Sequence, residues 1–170
     1  PYAEWFFGDQ ADKFRFAHLQ EALTFVPFGV AVDEFQHICY AHPEMTPKER
    51  TYQWHLLEEK YMPWRRYEDD AFMERGGYWY HKLHIYLYPF YYINYTLTTM
   101  GAMEFKKKYA ENRDAAWQDY LKLCKTGGSR SYLETLRYAN LANPFEPGSV
   151  ERAYGYAEEI LLRQIAEQAK

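Results

Sequence analysis

An all-α fold is predicted by three observations. Apolar residues recur at helical rather than alternating spacing, capping boxes stand at Thr46 and Ser131, and the pairs Gly76–Gly77 and Gly127–Gly128 stop the runs between them. With 170 residues the chain has about the length of one domain and enough apolar sequence to bury a core. A single helical domain of six to eight helices over residues 1–170 is the expectation.

Taken in order, "DKFRFAHLQEAL" puts Phe14, Phe16, Leu19 and Leu23 near one face, with Asp9 or Asp12 available as N-cap. Pro27 and Gly29 should interrupt this helix, since proline removes a backbone donor and glycine adds backbone freedom. "VAVDEFQHICYAH" resumes it with Val32, Phe35, Cys39 and Tyr40 facing one way. Thr46, Pro47 and Glu49 form a capping box with proline in the first turn, so residues 47–60 read as helix. Gly76–Gly77 should end a short helix and begin a flexible loop. A helix is then expected to start at Pro89 and run to about Lys108. Asn112 caps "RDAAWQDYLKLCKT", which the Gly127 pair stops, and Ser131 with Glu134 opens the next. "NPFEPGS" is a turn, after which Ser149 caps a last amphipathic helix ending near residue 169.

Composition excludes several classes of function. At 48% hydrophobic and 20% aromatic the chain is too apolar for disorder. A mean hydropathy of −0.64 and the absence of any long apolar run argue against a spanning helix. The net charge of −4 gives no general attraction to nucleic acid or to a membrane surface, so neither is an expected partner. "KKK" at 106–108 reads as a solvated helix face. Two cysteines cannot make a disulfide framework, and a reducing, cytoplasmic compartment is expected. The opening "PYAEWFFGDQ" lacks Met and is too apolar for a free end. That pattern is expected of a chain that continues upstream, with processing as the other reading; in the first case Trp5, Phe6 and Phe7 should be exposed apolar surface.

Metal motifs are scarce. HExxH, which sets two imidazoles one helical turn apart with a glutamate aimed between them, is absent. Glu34 and His37 have the ExxH spacing of a di-iron bundle, but no second copy exists. His37, Cys39 and His42 alternate around a helix instead of converging, and His81 with His84 at i, i+3 lack a third ligand. No metal ligands are therefore assigned in this chain.

What remains is "HIYLYPFYYINY" at 84–95. With a helix starting at Pro89, Tyr88 would sit at its cap, Tyr91 or Tyr92 would share a face with Tyr95, and His84 would lie just before the first turn. A phenol donates a hydrogen bond at neutral pH without carrying charge, so such a cluster can hold a peptide carbonyl and then the oxyanion formed from it. Core aromatics with hydroxyls reaching the surface are the plainer alternative.

The strings "FVPFGVAVDEFQH", "HPEMTPKER", "ERGGYW", "HIYLYPFYYINYTL", "DYLKLCKTGGS" and "ANLANPFEPGS" occur in this order over nearly the whole chain. In series they resemble the C-terminal part of the oligoendopeptidase F group of the thimet-oligopeptidase-like (M3) zinc metallopeptidases. The resemblance implies an all-α peptidase with a deep channel that cuts short peptides, and zinc held by HExxH and a glutamate in the N-terminal remainder. It implies that this chain begins just after those ligands and is inactive alone. His84 carries over as the histidine that binds substrate and stabilises the tetrahedral intermediate, with Tyr91 or Tyr92 as its catalytic partner. Tyr88, Tyr95, Gly76 and Gly77 are expected to bind substrate. Asn94, Thr98–Thr99 and Lys106 depart from the family pattern, which puts substrate preference in question without removing a donor. A non-catalytic helical module that binds peptides or a partner through an aromatic groove is the alternative.

Overall fold

In a computed structural model that describes residues 2–168, the chain is helical throughout, with no strand among the described residues. The α-helices are α1 (Ala3–Phe7), α2 (Ala11–Ala41), α3 (Pro47–Tyr61), α4 (Ala71–Glu74), α5 (Leu83–Leu87), α6 (Ile93–Glu111), α7 (Arg113–Thr126), α8 (Tyr132–Tyr138) and α9 (Ser149–Gln168). Short 3-10 helices occupy Gly8–Gln10 and Gly77–His81. Helices exceed the expected number because α1, α4 and α5 are only four or five residues long, too short for a periodic signal. The expected end of the last helix near residue 169 lies outside the described residues.

The backbone gathers into two compact units, Thr24–Thr96 and the flanking stretches that end at Leu23 and resume at Leu97. The central unit has an aromatic core: Phe28, Val32, Phe35, Trp54, Leu57, Trp79 and Tyr92 are buried together. Phe35 and Phe28 both meet the Trp54 ring edge-on, the geometry the aromatic quadrupole favours. In the other unit Leu19, Ala157 and Leu161 form one cluster, with Phe16 and Leu23 against it, and Leu136, Ala139 and Leu141 form a second. Phe14 lies outside the first cluster; it is exposed and stacks on Phe7 and His18. Trp5, Phe6 and Phe7 are exposed, as expected.

Local signals held where the interaction is local. Thr46 and Glu49 satisfy each other's backbone donors, as do Ser131 and Glu134. Asn112 accepts from the Ala115 N–H, and Gly127 closes α7 in the left-handed region. Thr46→Ala should cost about 1 kcal/mol, the usual worth of an N-cap. Urea denaturation of the protein would check it, and an unchanged midpoint would mean that tertiary packing alone holds the start of α3.

Four expectations are corrected. Pro27 and Gly29 do not break α2, which runs through both. The proline costs about 3 kcal/mol in a helix interior, but Val26, Phe28, Ala31, Val32 and Phe35 on the same stretch are buried, and burial outweighs it. Gly29 is there for a close approach: a Cβ would lie 2.0 Å from Thr96 Oγ1. Ser149 is the first residue of α9 rather than its cap, and its hydroxyl donates to the Pro144 carbonyl. Asp12 does not cap α2 but accepts from Arg15 one turn later. Lys108 is not a solvated lysine: its ammonium donates to Asp119 at 2.7 Å and to the Asn140 carbonyl at 2.7 Å.

The stretch after Gly76 is also more ordered than a flexible loop. Gly76 has φ +96° and a Cβ there would lie 2.2 Å from the Thr51 carbonyl of α3, so only glycine fits. Gly77 is equally tight, with the Phe72 ring where its Cβ would be. The pair presses the 3-10 helix into the core and buries Trp79.

Candidate active-site wall

The helix expected from Pro89 begins at Ile93, and His84 lies inside the separate helix α5, with Tyr88 as its C-cap. The break comes from Phe90, whose φ of +58° is left-handed and unfavourable for a residue with a Cβ. Gln36 holds it there. Its side chain is buried in α2, with Nε2 donating to the Val32 carbonyl and Oε1 accepting from the Phe90 N–H at 2.9 Å. The Phe90 ring then packs on His37 and Tyr40, which accounts for Tyr40 leaving the core face.

The resulting turn folds the tyrosines around His84. Ring centroids of Tyr88, Tyr91, Tyr92 and Tyr95 lie 5.9, 6.3, 5.2 and 5.6 Å from the imidazole. Tyr92 and Tyr95 meet it edge-on and Tyr91 lies parallel to it. Tyr95 Oη is 3.4 Å from His84 Nε2, at the outer limit of a hydrogen bond. Partial burial, and then a hydrogen bond with Tyr91, hold the Tyr95 phenol above its usual pKa, so at neutral pH it keeps the proton a donor needs.

Exposure divides the candidates. Tyr88, Tyr91 and Tyr95 are 53%, 48% and 38% exposed, whereas Tyr92 is 6% exposed and belongs to the core beside Phe25 and Phe28. Burial raises the Tyr92 phenol as well. His84 is intermediate. Gly76 and Gly77 are buried in packing against α3 and Phe72. The structure thus gathers all five His and Tyr candidates and seats the two glycines elsewhere in the same unit.

Other polar candidates are already engaged. Glu34 is taken by Lys60 and Tyr61, and His37 faces Asp33 at 3.5 Å. His81 Nδ1 is bonded to the Tyr78 carbonyl. Among the described residues no three His, Cys, Asp or Glu side chains gather to hold a metal ion. Sequence reasoning missed Gln36, which positions the whole cluster. A single glutamine in an apolar helix face gives no signal until its partner 54 residues away is known.

No family model and no curated protein matches the chain. Solved structures do. An oligoendopeptidase F shares 51% identity and a TM-score of 0.90 over 95% of this chain. PZ peptidase A, solved with an inhibitor, shares 47% and 0.91 over 96%, and an oligoendopeptidase F from Bacillus anthracis shares 40% and 0.77 over 96%. The chain spans 28%, 29% and 26% of the length of these three proteins. No helix among the described residues is long and apolar enough to cross a membrane. With this identity and a shared helical fold over nearly all of its length, the chain belongs to the oligoendopeptidase F family for the part of those proteins it spans.

Proposed function

We propose that this chain forms one wall of the active site of a zinc-dependent oligoendopeptidase that hydrolyses short peptides, with the zinc ligands supplied by an N-terminal remainder of the polypeptide. The observation that carries this reading is His84 ringed by four tyrosines, with Tyr95 Oη in reach of its Nε2. A phenol and an imidazole fixed before substrate arrives can receive a peptide carbonyl and strengthen their bonds as negative charge grows on its oxygen. His84 and Tyr95 take that role, and Tyr91 holds Tyr95 through their mutual hydrogen bond. Tyr88, exposed at the edge, suits contact with substrate backbone. Tyr92 supports the imidazole edge-on from the core. Gly76 and Gly77 act through packing, by seating Trp79 and the segment that leads to α5. The described residues offer donors and no three-ligand set, so they fit a surface facing the metal rather than its coordination shell. Zinc, when bound, supplies a Lewis acid at the scissile carbonyl. The two free cysteines suit a reducing, cytoplasmic setting.

The intact protein should cleave a short internally quenched peptide and lose that activity to a chelator, while these 170 residues alone should hold no zinc after dialysis against a weak chelator. Metal analysis of the dialysed chain and fluorescence of the peptide give the two readings. One zinc retained per chain would make His81 and His84 ligands and overturn the assignment of His84 as a donor.

A further inference from the structure

Lys82 joins the 3-10 helix to α5, two positions before His84. Its ammonium lies over two aromatic rings, 4.8 Å from the centroid of Phe28 and 5.3 Å from that of Tyr92. Tyr92 is the ring that meets His84 at 5.2 Å and Tyr95 at 5.3 Å, both edge-on. One side chain therefore separates the ammonium from both proposed oxyanion donors.

The charge at this point is unanswered. Arg65, whose guanidinium lies 5.3 Å from the Phe28 centroid, faces Glu58 at 3.5 Å. Lys82 faces no carboxylate among the described residues: burial, and then the Arg65 guanidinium, push its pKa down, and no anion pushes it up. An ordinary lysine titrates far above neutral pH, so the group stays a cation there. The two rings attract it but supply no oxygen for its three N–H donors. It is not sealed off, since the residue is half-buried and its ammonium keeps contact with solvent. The field of a charge reaches about 8 Å at physiological ionic strength, and the lysine stem is flexible. A peptide held at His84 and Tyr95 lies within that range.

Building on the peptidase reading above, we propose that Lys82 determines substrate specificity, its ammonium receiving a carboxylate of the peptide near the scissile bond. An extended peptide advances about 3.3–3.6 Å per residue. With the Tyr92 ring between the two groups, about two or three residues separate a carbonyl at His84 from a carboxylate at Lys82. The phenols recognise a carbonyl whatever else the substrate carries, whereas selection by charge needs an ion. The free C-terminus of a short peptide supplies that carboxylate, and an Asp or Glu side chain has the same chemistry.

Hydrolysis by the intact protein of three short peptides, followed by chromatography, tests it: a free acid, its C-terminal amide, and the same amide with glutamate as its last residue. In the wild type kcat/KM for the acid should exceed that for the amide by about 3–10-fold, mostly through KM, as a partly screened ion pair gives. The ratio should shrink in 1 M salt, where screening shortens to about 3 Å. Lys82→Gln should bring the ratio close to one, Lys82→Arg should keep it, and Lys82→Glu should invert it. The ratio is internal to each variant, so a change in overall activity does not obscure it, and the wild-type value needs no variant. Preference for the acid alone assigns the group to peptide C-termini, and preference for the glutamate amide to acidic residues; either supports Lys82 as the selector. Equal rates for all three peptides, or a ratio unchanged in Lys82→Gln, would overturn it and leave the peptidase reading standing. No cleavage of any of the three would overturn the peptidase reading and the role of Lys82 with it.

Discussion

Tyr95→Phe and His84→Ala in the intact protein are expected to lower kcat and kcat/KM together by about 10²–10³-fold, as loss of a single oxyanion donor does. Folding should be unaffected by Tyr95→Phe, because Tyr95 is 38% exposed and keeps its ring. Tyr91→Phe should give a smaller loss of turnover, since it acts through the bond to Tyr95. Tyr92→Phe should behave differently. Its ring sits in the core at 6% exposure, so removing its hydroxyl should leave turnover nearly intact, with a stability change of about 1 kcal/mol or less. His84→Ala can raise KM as well if the imidazole holds ground-state substrate, which makes kcat the decisive quantity. Near-normal kcat in Tyr95→Phe, Tyr91→Phe and His84→Ala alike would reduce "HIYLYPFYYINY" to a well-packed aromatic turn. A large kcat loss confined to Tyr92→Phe would return the catalytic role to the buried phenol.

The largest stability effect is expected at Asp119. Its carboxylate is buried in α7 and accepts from Lys108 at 2.7 Å, Lys122 at 2.9 Å and Asn140 Nδ2 at 2.7 Å. Lys108 also donates to the Asn140 carbonyl, so one carboxylate ties α6, α7 and the end of α8. Asp119→Ala strips the counter-charge from a partly buried lysine, a change that costs about 3–5 kcal/mol in a buried pair. Lys108 retains some contact with water, so the lower figure is the expectation. The hydrogen bonds from Lys108 and Lys122 hold the Asp119 carboxyl far below its usual pKa. A depressed folded-state pKa means that the stabilisation is full above the unfolded value, about 3.9, and is lost as pH falls below it. Urea denaturation at neutral and at acidic pH should therefore show the wild type and Asp119→Ala far apart at neutral pH and converging in acid. A neutral-pH difference below about 1 kcal/mol would make the cluster an ordinary solvated ion pair.

The sequence by itself determined what depends on neighbours within a turn or two. Thr46 with Glu49, Asn112 with Ala115, Ser131 with Glu134, and Gly127 after α7 all act over three or four residues, so the composition of a short window fixes them. The helical class follows from these stops and starts, and the candidate site is picked out by His84 and five tyrosines falling within twelve residues. Tertiary structure decided the rest. The passage of α2 through Pro27 depends on burial of Phe28, Val32 and Phe35 against α3 and Trp79, which no local propensity contains. The placement of His84 in its own helix depends on Gln36 pulling Phe90 into a left-handed conformation from 54 residues away. The same turn buries Tyr92 and leaves Tyr91 and Tyr95 exposed, although a phenol reads alike at all three positions. Local hydrogen bonds close small loops at little entropic cost and can be read from the chain. Long-range ones exist only once the core has brought distant segments together.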